Sequence, residues 1–250
     1  MSYSGVAVLI ILWASGLWGQ AGQTPDAPPG SYLSNLQTTS KFIPKDFDPD
    51  ANLEKEVWRH ASWVKFEHDA FSPAAYPQSE TEVASLWTPA SVYFAFRCRA
   101  TTLNVFEGKD PTRDFWTLWE RDVVEVFLNP QPERMNHYYE LEVAPNNLWI
   151  DLEIDLDKTP FNDAGWDSHF QHATHFDAPK HMWTCEMRIP VSALGTGSPL
   201  QAGSVWRINF YRADGPGDDS HRRFLSWSPV HNPKHTFHTP ASFGLIHFLK

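Results

Sequence analysis

In the segment LWERDVVEVFLNP, one carboxylate interrupts a run of β-branched and aromatic residues. The run predicts a strand, and the carboxylate, Glu125, needs a partner or water there because a lone charge among apolar residues is costly. Two indoles, Trp116 and Trp119, come just before the strand. A carboxylate can accept paired hydrogen bonds from sugar hydroxyls, and a flat indole can cover the apolar face of a sugar ring. The spacing W-x-x-D-x-x-E supplies both groups from one loop and strand, and it predicts a recognition site that requires positioning rather than catalysis.

Other carboxylates close to Glu125 in the sequence leave a catalytic interpretation open. They are Glu120, Asp122, Glu140 and Glu142. Glycoside hydrolysis requires two carboxyl groups at a set separation, but any acidic chain supplies such pairs by chance. The sequence contains no G-x-S-x-G, H-E-x-x-H, phosphate-loop or dinucleotide fingerprint. We therefore favour binding, and a glycoside-active enzyme that uses Glu125 is the alternative.

The histidines, twelve in all, raise the question of a metal site. In HFQHATH, the predicted strand puts His169 and His175 on one face and His172 on the other. This arrangement argues against a three-histidine metal site. A second group could contact a ligand or a metal, or could simply be exposed or packed; its members are His231, His235 and His238.

The composition favours a folded domain without polyanionic partners. Hydrophobic residues make up 42% of the chain and aromatic residues 14%, which is enough to fill a core. The formal net charge is −10 and no basic patch is evident, so we expect neither nucleic acid nor an anionic membrane surface as a partner. Twelve tryptophans can fill cores, and they can also stack on sugars.

The N-terminal sequence predicts export to a secreted or periplasmic location. Residues 1–21 are interpreted as a signal peptide cleaved after Ala21, because the apolar run GVAVLIILWASGLWG is too short for a typical membrane span. An uncleaved anchor is the alternative; after cleavage we expect no membrane association. Residues 22–40 are rich in Pro, Gly, Ser, Thr and Gln and predict a flexible tail. Residues 41–250 show no second linker and no repeat, which indicates one domain.

Short strand patterns recur along this domain without intervening amphipathic helices. They are EVASLW, SVYFAFRC, DVVEVFLN, YYELEVAP, LWIDLEIDL, HFQHATHF, MWTCEMRIP, VWRINFYR, FLSWSP and FGLIHFL. Turn-forming Pro, Gly and Asn residues separate many of them. The pattern predicts an all-β fold of antiparallel strands, either a sandwich or a barrel.

Three predicted strands carry polar residues whose environment decides their role. In LWIDLEIDLD, the acidic row opposite the apolar row could bind Ca²⁺ or could be a solvated face. Cys98 and Cys185 fall on apolar strand faces, where they could form a disulfide worth about 4 kcal/mol or remain two unpaired core thiols.

Three ordered blocks of the chain resemble family 9 carbohydrate-binding modules, in particular the broad bacterial family 9-like branch. The blocks are WERDVVEVFL, YYELEVAP and WRINFYR, the last followed by LSWSP and FHTPASFGLIHF. The pair Ile189-Pro190 also fits, and the resemblance covers roughly residues 41–250. It implies an immunoglobulin-like or jelly-roll β-sandwich, in agreement with the strand pattern.

The resemblance also implies a ligand site. The best-known members clamp the end of a glycan between two tryptophans, contact its hydroxyls with polar residues, and hold structural calcium. By position, Trp119 corresponds to the first clamp residue and Glu125 to the hydrogen-bonding Glu. The chain departs from the family at the second clamp position, which falls near Phe237, and at a ligand-contacting Arg and Asn, which fall on Glu140 and near Lys234.

Auxiliary contacts are expected from one more strand. Along VWRINFYR, the residues Arg207, Asn209 and Tyr211 alternate with apolar ones and line the non-core face, which could contact a ligand or be an ordinary solvated face. Packing roles for Trp119 and Phe237 and an ion pair for Glu125 remain alternatives to ligand contacts.

Taken together, the residues and the resemblance predict an exported, non-catalytic module that binds a poly- or oligosaccharide. Stacking on Trp119, opposed by Phe237, would hold a sugar, and Glu125 would accept hydroxyl hydrogen bonds. Such a module would support carbohydrate catabolism together with a separate glycan-degrading enzyme, and structural Ca²⁺ is the cofactor that the resemblance implies. The alternative to sugar binding is a periplasmic haem-binding module with His or Met ligands, although no C-x-x-C-H motif is present. The methionines considered are Met135, Met182 and Met187.

Overall fold

All ten predicted strands are present in the computed structural model, which describes residues 33–215 and 221–250. The strands are β1 (Gln37–Phe42), β2 (Trp63–Phe66), β3 (Thr81–Trp87), β4 (Ser91–Arg99), β5 (Val123–Asn129), β6 (His137–Val143), β7 (Trp149–Asp155), β8 (Asn162–Asp163), β9 (Gln171–Asp177), β10 (Met182–Pro190), β11 (Val205–Asp214), β12 (Arg223–Ser226) and β13 (Gly244–Leu249). Short 3-10 turns occupy Glu56–His60, Pro77–Ser79, Leu118–Glu120, Ala178–Lys180, Val191–Leu194 and Pro240–Ser242. None of the helical segments in the described residues has the length and apolar character that a membrane span requires.

The strands form one hydrogen-bonded path that curls into a two-layer β-sandwich. Its order is β8-β7-β6-β5-β11-β13-β1-β3-β4-β10-β9, with β12 added to β11 and β2 added to β3. Side chains from the two halves of the path meet in a central core, where Phe210 on β11 makes edge contacts with Phe94 and Phe96 on β4 at centroid distances of 5.6 and 6.1 Å. The described ladders are antiparallel except those of β1, which pairs in parallel with both β13 and β3. The predicted all-β sandwich is confirmed.

Strand β1 lies partly within the segment predicted to be a flexible tail. The sequence QTTSKF has no apolar alternation, so its strand is created by its partners on either side rather than by its own pattern. Its Ser40 is buried, and the Ser85 hydroxyl of β3 donates a hydrogen bond to the Ser40 hydroxyl at 2.8 Å. The tail prediction was therefore wrong for residues 37–40; the rest of it up to residue 32, and the predicted signal peptide, lie outside the described residues.

The layer that contains β5, β6 and β11 is buried on both faces. One face joins the central core, and the other contributes to a second apolar group, here called the outer cluster. Its buried members are Ala70, Leu118, Val123, Phe127, Tyr138, Ala144, Leu148, Ile150, Leu152, Ile154, Tyr211, Ala213, Val230 and Phe243. Half-buried aromatic residues from the loops pack over them. The apolar row of β7 is thus buried as predicted, but in the outer cluster rather than in the central core.

The acidic row of β7 is not uniformly solvated. Asp151 is fully buried, and its Oδ2 accepts hydrogen bonds from both the backbone N–H and the hydroxyl of Ser168. Glu153 lies 2.7 Å from Nε2 of His137, which covers part of the same face. The interpretation as a solvated face fails at Asp151 because the segment around Ser168 folds over the strand, which the alternation pattern could not show.

Cys98 and Cys185 are free, buried thiols. They lie on the neighbouring strands β4 and β10, where Cys98 faces Trp183 and Cys185 faces Phe96. The two cysteines are therefore diagonal neighbours within one layer, not residues that face each other across the core. Of the two states that the sequence left open, the structure has the unpaired thiols.

A buried carboxylate fixes the segment that covers the outer face of β3, β4 and β10. Oε2 of Glu186 accepts hydrogen bonds from the backbone N–H groups of Asp50 and Ala51 and from Nζ of Lys55, at 2.8, 3.1 and 2.8 Å. Oε1 of Glu186 accepts a hydrogen bond from the indole Nε1 of Trp58 at 2.6 Å. One side chain thus satisfies four donors of the covering segment.

We expect Glu186→Ala to lower the free energy of unfolding by about 3–5 kcal/mol, because it leaves buried donors and a cation without their acceptor. Urea unfolding followed by tryptophan fluorescence measures the change. The matched control is Asp48→Ala, which removes an exposed carboxylate from the same covering segment and should cost about 0.5 kcal/mol or less. Equal losses in the two variants would contradict the assignment.

Asp151 makes stability depend on pH. Burial raises the pKa of Asp151 to about 6, and the nearby charges of Asp114 and Asp167 also raise it. The hydrogen bonds from Ser168 act in the opposite direction and lower the pKa. A raised pKa means that the folded state holds the proton more tightly, so the associated stability is present below the ordinary pKa of 3.8 and is lost as the pH rises through about 6. Relative to Asp151→Asn, we expect the wild type to lose about 2–3 kcal/mol between pH 4 and pH 6.5. Urea unfolding across this range measures it, and parallel curves for the two proteins would refute it.

Candidate functional site

Three glutamates come together on the outer face of strands β5 and β6. Glu125 on β5 is directly opposite Glu142 on β6, and Glu140 lies two residues before Glu142, hence on the same face. One carboxylate oxygen from each glutamate can be chosen so that all three lie within 4.8 Å of one another. Their residues are 2%, 4% and 0% exposed for Glu125, Glu140 and Glu142. We call these residues the glutamate cluster.

The glutamate cluster is electrostatically unbalanced. Burial, and then the charge of Glu140, raises the pKa of Glu125 well above its usual range. Burial, and then the charges of Glu125 and Glu140, does the same to the pKa of Glu142. The guanidinium of Arg222 opposes both shifts. Oε2 of Glu140 and both carboxylate oxygens of Glu142 are buried without a hydrogen-bond partner. Carboxyl groups this close in a dry environment hold protons or a cation.

Phenols and an imidazole border the glutamate cluster. Tyr211 on β11 is opposite Glu125, and its hydroxyl donates to the backbone carbonyl of Phe237 at 3.1 Å. The hydroxyl of Tyr138 lies 2.7 Å from Nδ1 of His238, whose Nε2 is 3.9 Å from Oε2 of Glu140. Burial raises the pKa of both phenols well above the usual range, so they are neutral.

Aromatic rings from two loops cover this face. The ring of Phe237 stacks on Tyr211 with centroids 4.1 Å apart and an interplanar angle of 15°. Trp119 is half-buried in the outer cluster and meets Trp116 edge to face at 5.0 Å. Trp116 is 47% exposed, which makes it a large apolar ring that solvent reaches easily. An Nη2 of Arg222 donates to the Trp119 carbonyl and thereby fixes the loop that carries the indole.

The structure places five of the predicted site residues around one face. Trp119, Glu125, Glu140, Tyr211 and Phe237 all lie in the outer cluster or on the strand positions it covers. One face of Phe237 is already packed on Tyr211, so a ligand contact for Phe237 depends on the remainder of its ring. Whether any of these residues contacts a ligand stays a prediction.

Arg207 and Asn209 share that face of β11, but their polar atoms hold loops. Nη2 of Arg207 donates to the backbone carbonyls at positions 240, 241 and 243, at 2.9 to 3.2 Å. The amide of Asn209 donates to the Ser228 carbonyl and accepts from the Ser228 N–H, both at 2.9 Å. Nη2 of Arg207 and the amide of Asn209, which were expected as auxiliary ligand contacts, are therefore bonded to the backbone, while Nε of Arg207 is buried without a hydrogen-bond partner. Lys234 is exposed.

Glu142 was expected only as one of the carboxylates close to Glu125 in the sequence, and not as a ligand-binding residue. The signal was available, because Glu140 and Glu142 are two apart in YYELEV and therefore share a strand face. Their meeting with Glu125 depends on the β5–β6 register, which the turn NPQPERMNH does not fix by composition alone. Trp116 stood beside Trp119 in the sequence, but its exposure was not predictable from its position.

In the part of the chain that the structure describes, no histidine belongs to a converging group of three or more metal-ligating side chains. The set of ligand atoms that converges there is the glutamate cluster, which contains no histidine. Strand β9 begins after His169, which pairs with Asp167 at 3.0 Å, while Nδ1 of His172 lies 3.0 Å from Oδ1 of Asn147. Burial lowers the pKa of His172 to about 4. Met187, considered above as a haem ligand, is fully buried in the central core.

Comparison with known proteins identifies relatives of this fold. A family model described as "Carbohydrate family 9 binding domain-like" matches residues 50–250. A protein of Arthroderma benhamiae named "Extracellular protein" is 22% identical over 192 residues, which cover 72% of this chain and 84% of that protein. A crystal structure of a Bacteroides uniformis protein, proposed to bind carbohydrate, superposes with a TM-score of 0.68 at 18% identity and covers 86% of this chain and 100% of the other. A family 9 carbohydrate-binding module from Caldicellulosiruptor kristjanssonii, solved with cellotriose, has a TM-score of 0.61 at 17% identity and covers 86% of this chain and 94% of the other.

We expect Asn209→Ala to act on stability, because the substitution leaves the buried N–H and carbonyl of Ser228 without partners. The free energy of unfolding should fall by about 2–3 kcal/mol. Asn136→Ala, which removes an exposed amide bonded to Asp157, is the control and should change it by about 0.5 kcal/mol or less. Urea unfolding compares the two variants, and a stability unchanged in Asn209→Ala would show that its side chain is free for another role.

Proposed function

Because the chain belongs to the family of carbohydrate family 9 binding domain-like proteins, we propose that it binds a sugar ring on its outer cluster without catalysis. The observation that carries the proposal is the position of buried, under-bonded carboxylates beneath a rim of partly exposed aromatic rings. The apolar face of a sugar ring complements the aromatic rings, and the hydroxyl groups at its edge complement the carboxylates.

The tryptophans at positions 116 and 119 are the proposed stacking surface. They lie at 82° to one another, so a ring that packs on one indole face meets the edge of the other. The exposed indole of Trp116 offers the first contact, and Trp119 extends the surface toward the glutamate cluster. Phe237 is the proposed opposite wall, through the part of its ring that Tyr211 does not cover.

Glu125 is the proposed acceptor for sugar hydroxyls, with Glu140 beside it. Both carboxylates are nearly inaccessible in the structure, so a hydroxyl reaches them only by replacing contacts of the aromatic cover. Binding replaces contacts within the protein by contacts with the sugar, and it also orders the ligand. The net free energy of binding is therefore small. We therefore expect weak affinity, in the micromolar to millimolar range.

The environment of the carboxylates favours binding over hydrolysis. Glycoside hydrolysis needs space for an attacking water, or a nucleophilic carboxylate that the anomeric carbon can reach. At 4% exposure or less, the carboxylates of the glutamate cluster are covered by other side chains rather than open to solvent. The proposed role of Glu125 is accordingly that of a hydrogen-bond acceptor.

We further propose that the protein acts outside the cytoplasm, in secreted or periplasmic form. The predicted signal peptide and the relative named "Extracellular protein" support this location. A module that binds glycan without cleaving it assists carbohydrate catabolism by acting together with a separate glycan-degrading enzyme, and we propose such an enzyme as its partner.

The test is a fluorescence titration of the purified protein with a panel of oligosaccharides that includes cello-oligosaccharides. We expect a saturable change with at least one sugar, and at least about 10-fold weaker binding in Trp119→Ala, which corresponds to the loss of one stacking contact. Glu125→Gln should weaken binding by a comparable factor. The control is Trp63→Ala, because Trp63 packs under Arg97 on the opposite layer and should not alter sugar binding.

Two outcomes would overturn this function. One is a folded wild-type protein that responds to no sugar in the panel. The other is a sugar response that survives Trp119→Ala but disappears in Trp63→Ala, which would place the binding surface on the opposite layer.

A further inference from the structure

We propose that a groove on the outer face of the layer containing β3 binds a small anionic amphiphile, that is, a carboxylate carried on an apolar chain. The groove lies between residues 41–47 and the 3-10 turn Glu56–His60. Its volume is 670 Å³, and sites for small organic molecules usually measure roughly 300–1,000 Å³. Its lining includes no residue of the glutamate cluster or the outer cluster, so the proposal stands whether or not the protein binds sugar.

Apolar side chains form most of the groove. Leu86 of β3 and Ile43 belong to its buried part, and Val57 is half-buried. Phe42 is 38% exposed, which leaves a large apolar ring surface in contact with water. Covering such surface is favourable by about 25 cal/mol per Å². The apolar part of the groove therefore suits a hydrocarbon chain or ring.

Internal contacts fix both sides of the groove. On one side, the ring of Phe47 stacks on Tyr93 with centroids 4.3 Å apart, and the Phe47 N–H donates to the Tyr93 hydroxyl at 3.1 Å. On the other side, the indole of Trp58 in the 3-10 turn donates to Glu186 at 2.6 Å. A site that is already ordered loses little conformational entropy when a ligand binds.

The acidic groups of the groove are already neutralised. The charged residues of the lining are Lys41, Lys45, Lys55, Lys250, Asp46 and Glu56. Asp46 pairs with Arg188 at 3.0 Å, and Glu56 pairs with Arg59 at 2.7 Å. Neither arginine lines the groove. These two carboxylates therefore do not compete with a ligand anion for the lysines.

Lys41 and Lys45 are the cations on which the proposal depends. Lys55 is bonded to Glu186, but in the described part of the chain neither Lys41 nor Lys45 has a carboxylate oxygen within 4.0 Å of its ammonium group. Both side chains are exposed. The formal net charge of the chain is −10, so two unpaired cations beside an apolar groove are a local exception to the acidic surface. A carboxylate at the end of an apolar body complements both features, because its charge can meet the lysines while its body covers the apolar walls.

The test is a displacement assay with the fluorescent anion 1-anilinonaphthalene-8-sulfonate as the reporter. Three ten-carbon chains that differ only in the head group compete with it: decanoate, decanol and decylammonium. We expect saturable binding of the reporter, and displacement by decanoate at about 10-fold lower concentration than by either of the other two chains. Calorimetric titration with decanoate measures the affinity without the reporter.

Charge reversal at the two lysines tests the contact with the head group. We expect Lys41→Glu/Lys45→Glu to weaken decanoate binding by about 10-fold or more and to change decanol binding by less than about 2-fold. The matched control is Lys158→Glu/Lys180→Glu, which changes the net charge equally at two exposed lysines outside the groove. Because distant surface charges are screened by salt, the control should bind decanoate within about 2-fold of the wild type.

A third variant tests the apolar wall. Phe42→Ser removes the exposed ring and should weaken decanoate and decanol alike, by about 5-fold or more. Circular dichroism confirms that each variant is folded.

Several results would overturn the proposal. One is a folded wild-type protein that binds no decanoate, and another is a groove that takes decanol or decylammonium as readily as decanoate. Equal losses in the two charge-reversal variants would show a response to net charge rather than to this groove. Analytical ultracentrifugation covers the remaining case, because a dimer that excludes decanoate would mean that a second copy of the chain occupies the groove.

Discussion

Strands β5, β6 and β11 are buried on both faces, and this constraint determines the role of every polar residue they carry. A sheet with one solvated face can leave polar side chains to water, but here each of them must find a partner inside the protein. Asn209 and Arg207 find theirs in the backbone of the loops that form the cover, so the cover and the strand hold each other in place. The glutamate cluster differs from them, because Oε2 of Glu140 and both carboxylate oxygens of Glu142 are buried without a hydrogen-bond donor. The unpartnered carboxylate oxygens distinguish the glutamate cluster, as a candidate binding site, from the structural polar residues Arg207 and Asn209 on the same face.

Much of the fold was predictable, because strand formation here follows local alternation. The ten patterns singled out in the sequence became strands, and for β7 and β11 the alternation grouped the residues that share a face correctly. Strand β1 was missed because its polar sequence gains strand structure only from neighbours that are distant in the chain. The burial of Asp151 was missed for a related reason, since a loop from residues 167–168 covers it. Alternation reports which residues share a face but not what lies above that face.

The candidate site shows the same division between local and long-range information. The spacing of Trp119 and Glu125 indicated a site, and the structure places both in or under the outer cluster. Glu142 joined them through a register that no local pattern encodes. The functions expected of Arg207 and Asn209 depended on whether a loop would reach them first, and the loops around Ser228 and Pro240 do so. The sequence of one strand does not show whether a ligand or the protein's own backbone will accept the hydrogen bonds that its side chains donate.

The parallel strand β1 has a consequence for the boundaries of the domain. It lies between β13 and β3, so the first and last strands of the described fold are neighbours. By pairing with both of these strands, β1 connects the two layers through backbone hydrogen bonds. A shortened chain beginning at residue 50, where the family match begins, would lack β1. The edges of β13 and β3 would then have no partner strand between them. Bare edges of this kind recruit other chains, so truncation there would favour domain swapping or aggregation over a stable monomer. The working unit of this fold therefore begins upstream of its recognisable sequence signature.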